Sequence, residues 1–306
     1  MRAKGHGSRA RIGIDLGGTK TEAIVMDDAG SIVLRERRPT PRDAGYEAIL
    51  DTVRALVTDL EKQAGARCTV GVGTPGAMST RTGHLKNSNT TCLNGKPLHT
   101  DLVRLLARPV RLANDANCFA LSEAIDGAGR DHDVVFGVIM GTGVGGGIVC
   151  RGEIHSGPQA IAGEWGHNVL EADGPACYCG RRGCVETFLS GPGLALDYGT
   201  RGGEPGLDAR SIVARAENGD ATAEAAMGRF LDRFGKALAV VINILDPDAV
   251  VLGGGISNVQ RLYTEGRERV ARHVFNDELS TPILPNAHGD SAGVRGAAWL
   301  WAPAER

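Results

Sequence analysis

Apolar and polar positions along the chain alternate between runs with a period of two and runs with the period of a helix. Residues 11–16, 21–26 and 32–37 read as strands, because short apolar or alternating runs are bounded by Gly-Gly and Asp-Asp-Ala-Gly turn signals. From 46 to 62, Ile49, Leu50, Val53, Leu56, Val57 and Leu60 recur on one helical face. Residues 69–73 then form a short strand that ends in Thr-Pro-Gly. Hairpin strands, helix and strand together make one α/β unit.

The same order returns further on. Ile12-Gly-Ile-Asp-Leu-Gly-Gly-Thr is matched by Phe136-Gly-Val-Ile-Met-Gly-Thr-Gly, and each leads into a second strand. The later copy runs on into a helix over 221–245, a strand over 249–252 and a helix over 258–274. A further helix is predicted over 116–128. This internal repeat predicts two duplicated α/β lobes around a central cleft, with the boundary near 127–133. The lobes span 11–128 and 129–290, and a helix over 291–301 returns to the first.

Composition narrows the class. At 306 residues the chain exceeds one ordinary core, and 42% hydrophobic with 23% charged residues is a soluble balance. A formal net charge of −2 supplies no basic field, which argues against nucleic acid as a partner. No apolar run approaches the ~20 residues of a membrane span, so no membrane partner is expected. The first ten residues read as a polar lead-in without the apolar core of a signal peptide. Seven cysteines, an odd number with one tight cluster, fit a reducing cytoplasmic compartment and metal binding better than a disulfide framework.

Glycine bursts mark three loops at strand ends. Asp15-Leu-Gly17-Gly18-Thr19-Lys20 and Gly141-Thr142-Gly143-Val-Gly145-Gly-Gly can bring backbone N–H groups against phosphate oxygens. Gly253-Gly254-Gly255 can approach a nucleotide base or ribose. Asp15, at a strand end, is placed to hold Mg²⁺ through water. Neither a Walker A loop nor a dinucleotide fingerprint occurs at these loops, since the closest spelling leads into a strand.

Two polar constellations remain. Asn114-Asp115-Ala-Asn117 follows a short apolar strand and opens a helix. Asp115 can accept a proton from an attacking hydroxyl, or either residue can cap the helix, and both roles can hold together. Glu164-Trp-Gly-His167 and Cys177-Tyr-Cys179-Gly-Arg-Arg-Gly-Cys184-Val-Glu186 gather three thiols and an imidazole, a closed zinc set.

Taken together, these motifs resemble the ROK family of sugar kinases and repressors, over nearly the whole chain. Pro39-Thr-Pro-Arg-Asp43, Asn87-Ser-Asn-Thr-Thr-Cys-Leu-Asn-Gly95 and the segment from His288 to Trp301 are most similar to bacterial fructokinases of the manno(fructo)kinase type. N-acetylglucosamine kinases share several of these phrases. The resemblance implies an actin-like ATPase (ribonuclease H-like) fold in which ATP and a free hexose meet in the cleft, and a homodimer. It implies Asp115 as the base and Asn89, Asn114, Asp115, Glu164, His167 and Glu186 as sugar ligands. It further implies zinc on His167, Cys177, Cys179 and Cys184. Cys92 departs from the pattern, standing where similar fructokinases carry a tryptophan. The repressors of the family carry an added N-terminal DNA-binding domain, for which the residues before the first strand are too few.

Overall fold

The computed structural model of the protein describes residues 10–301. The predicted lead-in over 1–10 therefore lies, but for Ala10, outside the described residues. Compactness divides the chain into two units. One comprises residues to Asp126 with Ser156–Ala162 and the stretch from Asp290; the other comprises Gly127–His155 and Gly163–Gly289. Sequence reading drew the boundary at 128/129 and gave the 156–162 segment to the second lobe. That segment is seven residues of loop, with no periodicity to show where it packs.

The first unit is built on β1 (Arg11–Leu16), β2 (Lys20–Met26), β3 (Ile32–Pro39), α1 (Tyr46–Ala64) and β4 (Thr69–Thr74). A small ribbon of β5 (Ala77–Met78) and β6 (Leu85–Lys86) follows, then α2 (Leu98–Leu106), β7 (Val110–Asn114) and α3 (Asp115–Ile125). The main sheet runs β3-β2-β1-β4-β7, antiparallel through the first three strands and parallel from β1 onward. β1, β2 and β4 are buried on both sides because helices cover both faces, whereas the edge strand β3 alternates half-buried and exposed residues. The stripe Ile49, Val53, Leu56 and Leu60 of α1 is fully buried, in one core with Ile12, Ile14, Val70 and Val72.

Small residues decide how the opposite face is covered. Gly13 of β1 and Gly71 of β4 are register partners, and a Cβ on either would run into backbone carbonyls of the C-terminal helix. Gly296 of that helix lies equally hard against the Cys118 carbonyl of α3. Three glycines thus let three backbones approach where any side chain would hold them apart. Trp301 closes the seam by donating from Nε1 to the Val70 carbonyl at 2.7 Å, and its own carbonyl accepts from Arg11 Nε at 2.7 Å.

The second unit repeats the plan with β8 (Val134–Met140), β9 (Val144–Cys150) and β10 (Glu153–Ile154). Then come α4 (Glu186–Leu189), α5 (Gly191–Thr200), α6 (Ala209–Glu217), α7 (Ala221–Leu245), β11 (Ala249–Gly253), α8 (Glu265–Ala271) and β12 (Ile283–Pro285). The sheet order β10-β9-β8-β11-β12 has the same sense pattern as the first sheet. Asp220 caps α7 by accepting from Thr222 and Ala223 N–H, and the helix buries Phe230, Leu231, Phe234 and Leu238. The C-terminal helix of the first unit is α9 (Ala292–Trp299).

Two predicted helices need correction. The helix expected over 116–128 is α3, which begins at Asp115 and stops at Ile125, ahead of the Gly-Ala-Gly that cannot hold it. The helix expected over 258–274 is instead two 3₁₀ turns, Gly255–Asn258 and Gln260–Leu262, and the short α8. Ile256, Val259, Leu262 and Val270 keep a helix-like spacing and are buried, yet Thr264 leaves the helical region between them.

Candidate active site

In the first unit the β1–β2 turn is closed by Gly17 N–H donating to the Lys20 carbonyl at 3.1 Å. Thr40 pins the same turn from β3's far end. Its N–H donates to the Thr19 carbonyl at 2.9 Å, and its hydroxyl to the Gly17 carbonyl at 2.7 Å. Gly18 faces the 89–90 segment: a Cβ there would fall 3.0 Å from Thr90 Oγ1 and 3.9 Å from Asn89 Oδ1. Asn89 is thereby brought to the glycine turn.

Asp15 ends its strand beside this turn. Burial first, and then the negative charges of Asp115 and Glu22, push its carboxyl up to about 6, against the pull of Lys20. Among the described residues no hydrogen-bond donor reaches that carboxylate. A buried carboxylate beside a second one, with no donor, is a ready ligand for a hydrated divalent cation.

The open choice at 114–115 resolves in part. Asn114 is the cap of α3: its Oδ1 accepts from Ala116 N–H at 2.9 Å, and its Nδ2 donates to the Gly76 carbonyl at 3.0 Å. Its carboxamide oxygen is thus already engaged, which leaves the second N–H of Nδ2 for a ligand. Asp115 is the first residue of the helix, and its Oδ1 also accepts from Ala116 N–H, at 2.8 Å.

In the second unit the glycine run expected as a loop over 141–147 turns only at Gly141–Gly143, where Gly141 N–H donates to the Gly143 carbonyl at 2.9 Å, and from Val144 onward it is already β9. Gly254, at φ +79, presses against Met140, so the triple-glycine turn after β11 stands beside the root of this loop. Gly145 lies within β9, and its carbonyl accepts from Trp165 Nε1 at 3.2 Å. Glu186, at the start of α4, takes the Val144 N–H on its Oε2 at 2.9 Å. A Cβ on Gly143 would fall 2.6 Å from that oxygen, so glycine there is what admits the carboxylate.

Glu164 opens the 3₁₀ turn Trp165–His167, which delivers His167 to the three cysteines. The four ligand atoms of His167, Cys177, Cys179 and Cys184 all lie within 4.8 Å of one another. His167 Nδ1 is 3.6 Å from Cys177 Sγ, and Cys179 Sγ is 3.6 Å from Cys184 Sγ. Burial works against ionising Cys179, but hydrogen bonds from Arg181 and the neighbouring thiols bring it down to about 6. Burial and its sulfur neighbours push Cys184 up to about 12 and Cys177 upward. One thiolate beside two reluctant thiols is the charge problem that a cation with four protein ligands removes.

The profile of the ROK family matches residues 11–304. An N-acetyl-D-glucosamine kinase of Escherichia coli O1:K1 / APEC is 42% identical over 298 residues, covering 94% of this chain and 98% of its own length. The ROK hexokinase from Thermus thermophilus is 33% identical with a TM-score of 0.83, over 94% of this chain and 96% of that one. A ROK family glucokinase from Streptomyces griseus, solved with glucose and AMPPNP, is 29% identical with a TM-score of 0.76, over 95% and 98%.

The chain belongs to the ROK family. Its fold is the actin-like ATPase fold.

Several residues of this ROK protein serve the candidate site without a motif to announce them. Thr40 acts through backbone carbonyls, and only its place in the Pro39–Asp43 phrase hinted at a role. Arg233 of α7 holds the cysteine loop and α4 together. It donates to Glu171 at 2.7 and 3.2 Å and to Asp197 at 2.8 Å, and its guanidinium lies 4.4 Å over Phe188. Tyr178, between Cys177 and Cys179, donates or accepts at His167 Nε2 across 3.0 Å. Partial desolvation, then Glu186, Cys177 and Glu164, push its phenol up to about 12, so it stays neutral. Thr142, Cys177, Tyr178, Glu186, Ser190 and Leu196 line a cavity of about 220 Å³.

Proposed function

We propose that this protein transfers the γ-phosphoryl group of ATP to a hydroxyl of a free hexose. The observation that carries this reading is the Asp115 carboxylate. It is held at the first turn of α3 beside the buried Asp15, in the unit that also presents the Gly17–Gly18 turn. Full-length similarity to proteins named as kinases of N-acetylglucosamine and hexoses supports it.

In this mechanism Asp115 takes the proton of the attacking hydroxyl as the bond to phosphorus forms in line and the bond to the leaving diphosphate breaks. Asp15 positions the Mg²⁺ that travels with the nucleotide. Backbone N–H groups of the two glycine turns, other than those of Gly17, Gly141 and Val144 that are bonded within the protein, neutralise phosphate charge, and Gly254 and Gly255 make room for the nucleoside. Asn89, Asn114, Glu164, His167 and Glu186 hold the sugar hydroxyls. Zinc is assigned to His167, Cys177, Cys179 and Cys184. With four protein ligands it would be structural, fixing the ring of His167 and the loop that leads to Glu186.

Fructose is proposed as the preferred acceptor, on the phrases at 39–43, 87–95 and 288–301. A second reading, N-acetylglucosamine, is favoured by the 42% identity to an enzyme of that name. A coupled ADP-release assay over fructose, mannose, glucose and N-acetylglucosamine separates them: kcat/KM is expected to be highest for fructose. Highest kcat/KM for the acetylated sugar moves the assignment to the second reading, and ADP release with none of the four refutes the kinase reading. A cytoplasmic location, in keeping with seven free cysteines, and a homodimer belong to the same proposal. No described helix is long and apolar enough to cross a membrane.

A further inference from the structure

The imidazole of His167 has one face toward the thiols and one face away from them. Nδ1 is 3.6 Å from Cys177 Sγ, inside the four-ligand group, and Nε2 points to Tyr178, whose hydroxyl is 3.0 Å away. The two rings meet edge to face, with centroids 5.1 Å apart and planes at 88°. A cation on Nδ1 leaves the ring's only proton on Nε2. That single N–H has room for one good acceptor, and the phenol oxygen stands 3.0 Å from Nε2.

Tyr178 sits between two cysteines, and the contacts described for its side chain are those with His167. Its side chain is 78% exposed, and Gly180, at φ +87, turns the chain away just beyond. Rotation about its side-chain bonds therefore frees Nε2 without moving a ligand atom. On the same side stand Glu186 and Glu164, close enough to act on the phenol electrostatically, and Glu186 shares the cavity with Tyr178.

We infer that the Tyr178 hydroxyl occupies the hydroxyl position on His167 Nε2 in the empty protein, and that the acceptor sugar must displace it. The inference rests on the hexose-kinase reading and adds a specificity-determining residue to it. A sugar that places a hydroxyl oxygen well at Nε2 recovers the lost hydrogen bond. One that cannot do so leaves the phenol in place and binds weakly. Tyr178 thus acts as a built-in competitor that lowers, by one common factor, the affinity of every acceptor that must displace it.

Tyr178→Phe keeps the ring and removes the competing oxygen. Its sugar Kd, measured by calorimetry, and its sugar KM are expected to fall roughly two- to tenfold, the span a neutral hydrogen bond is worth in water. ATP KM and zinc content per chain should stay as in wild type, and discrimination in favour of hexoses that use Nε2 should widen. In wild-type protein carrying ¹³C-labelled tyrosine, sugar should shift the one tyrosine resonance that is missing from the variant. Unchanged sugar affinity in Tyr178→Phe, or an unmoved resonance, overturns the inference. So does weaker sugar binding with zinc retained, which would make the phenol a direct sugar ligand. If the Phe variant loses its zinc, the wild-type resonance alone decides. Wild-type protein that phosphorylates no hexose fails the kinase reading itself, whereas hexose turnover with an indifferent variant fails only this inference.

Discussion

Asp15→Asn should make the ligand-free protein more stable while damaging its chemistry. The carboxyl stands at about 6 rather than 3.8, chiefly through burial and then through Asp115 and Glu22. A shift of about two units corresponds to about 3 kcal/mol between its protonated and ionised forms. The folded-state value is raised, so the favourable contribution of the proton is complete below pH 3.8 and is lost as pH rises through about 6. Above that, wild type carries the full cost of a buried charge, whereas the neutral amide carries none. Urea unfolding should therefore give similar stabilities near pH 4 and a gap of up to about 3 kcal/mol in favour of the variant at pH 8. Mg²⁺ with a nonhydrolysable ATP analogue should raise the melting temperature of wild type and do little for the variant. Turnover should fall by roughly 10- to 100-fold, as for other groups that orient a metal's shell. A variant no more stable than wild type at pH 8 would refute the reasoning, since it would mean the ionised carboxylate is not penalised where it sits.

Asp115→Asn retains an oxygen for Ala116 N–H but cannot take a proton. Its kcat should drop by roughly 10²–10⁴ with sugar affinity kept, and near-normal turnover would reduce Asp115 to a helix-end residue. Cys179→Ser should lose the metal in elemental analysis and raise the sugar KM far more than the ATP KM, while equal damage to both would indicate general unfolding. Gly296→Ala drives a methyl into the Cys118 carbonyl and should cost at least ~1–3 kcal/mol in denaturation. An unchanged midpoint would show that α9 can lift away from α3 without loss.

Both hairpins were legible in the sequence because Gly-Gly and Asp-Asp-Ala-Gly interrupt runs whose alternation admits no helix. Helix α7 was legible for the complementary reason: Phe230, Phe234 and Leu238 repeat on one face under a good Asp cap. The 255–271 stretch misled because burial, not helicity, sets the spacing of Val259, Leu262 and Val270. Gly266 there lies against Phe234, with a ring carbon 3.3 Å from where a Cβ would be. The cysteine and histidine set could be read from residue types alone, since few structures need three thiols and an imidazole within reach. The bond from Val144 N–H to Glu186 could not, because it uses a backbone group that every residue possesses. Tyr178 and Thr40 were silent for a similar reason: a lone hydroxyl gains meaning only from what the fold sets beside it.

The seam at Gly13, Gly71 and Gly296 has a consequence for how the protein is made. The strands β1 and β4 leave the ribosome early, but the helix that covers their glycine-lined face is encoded near the end of the described chain. At ordinary synthesis rates α9 follows β4 by roughly 10–45 seconds. Throughout that interval the glycine-lined part of the nascent first sheet lacks the helix that covers it. A message that stalls or is cut before α9 leaves this face permanently bare. Such a chain lacks the backbone that Gly13 and Gly71 are shaped to meet.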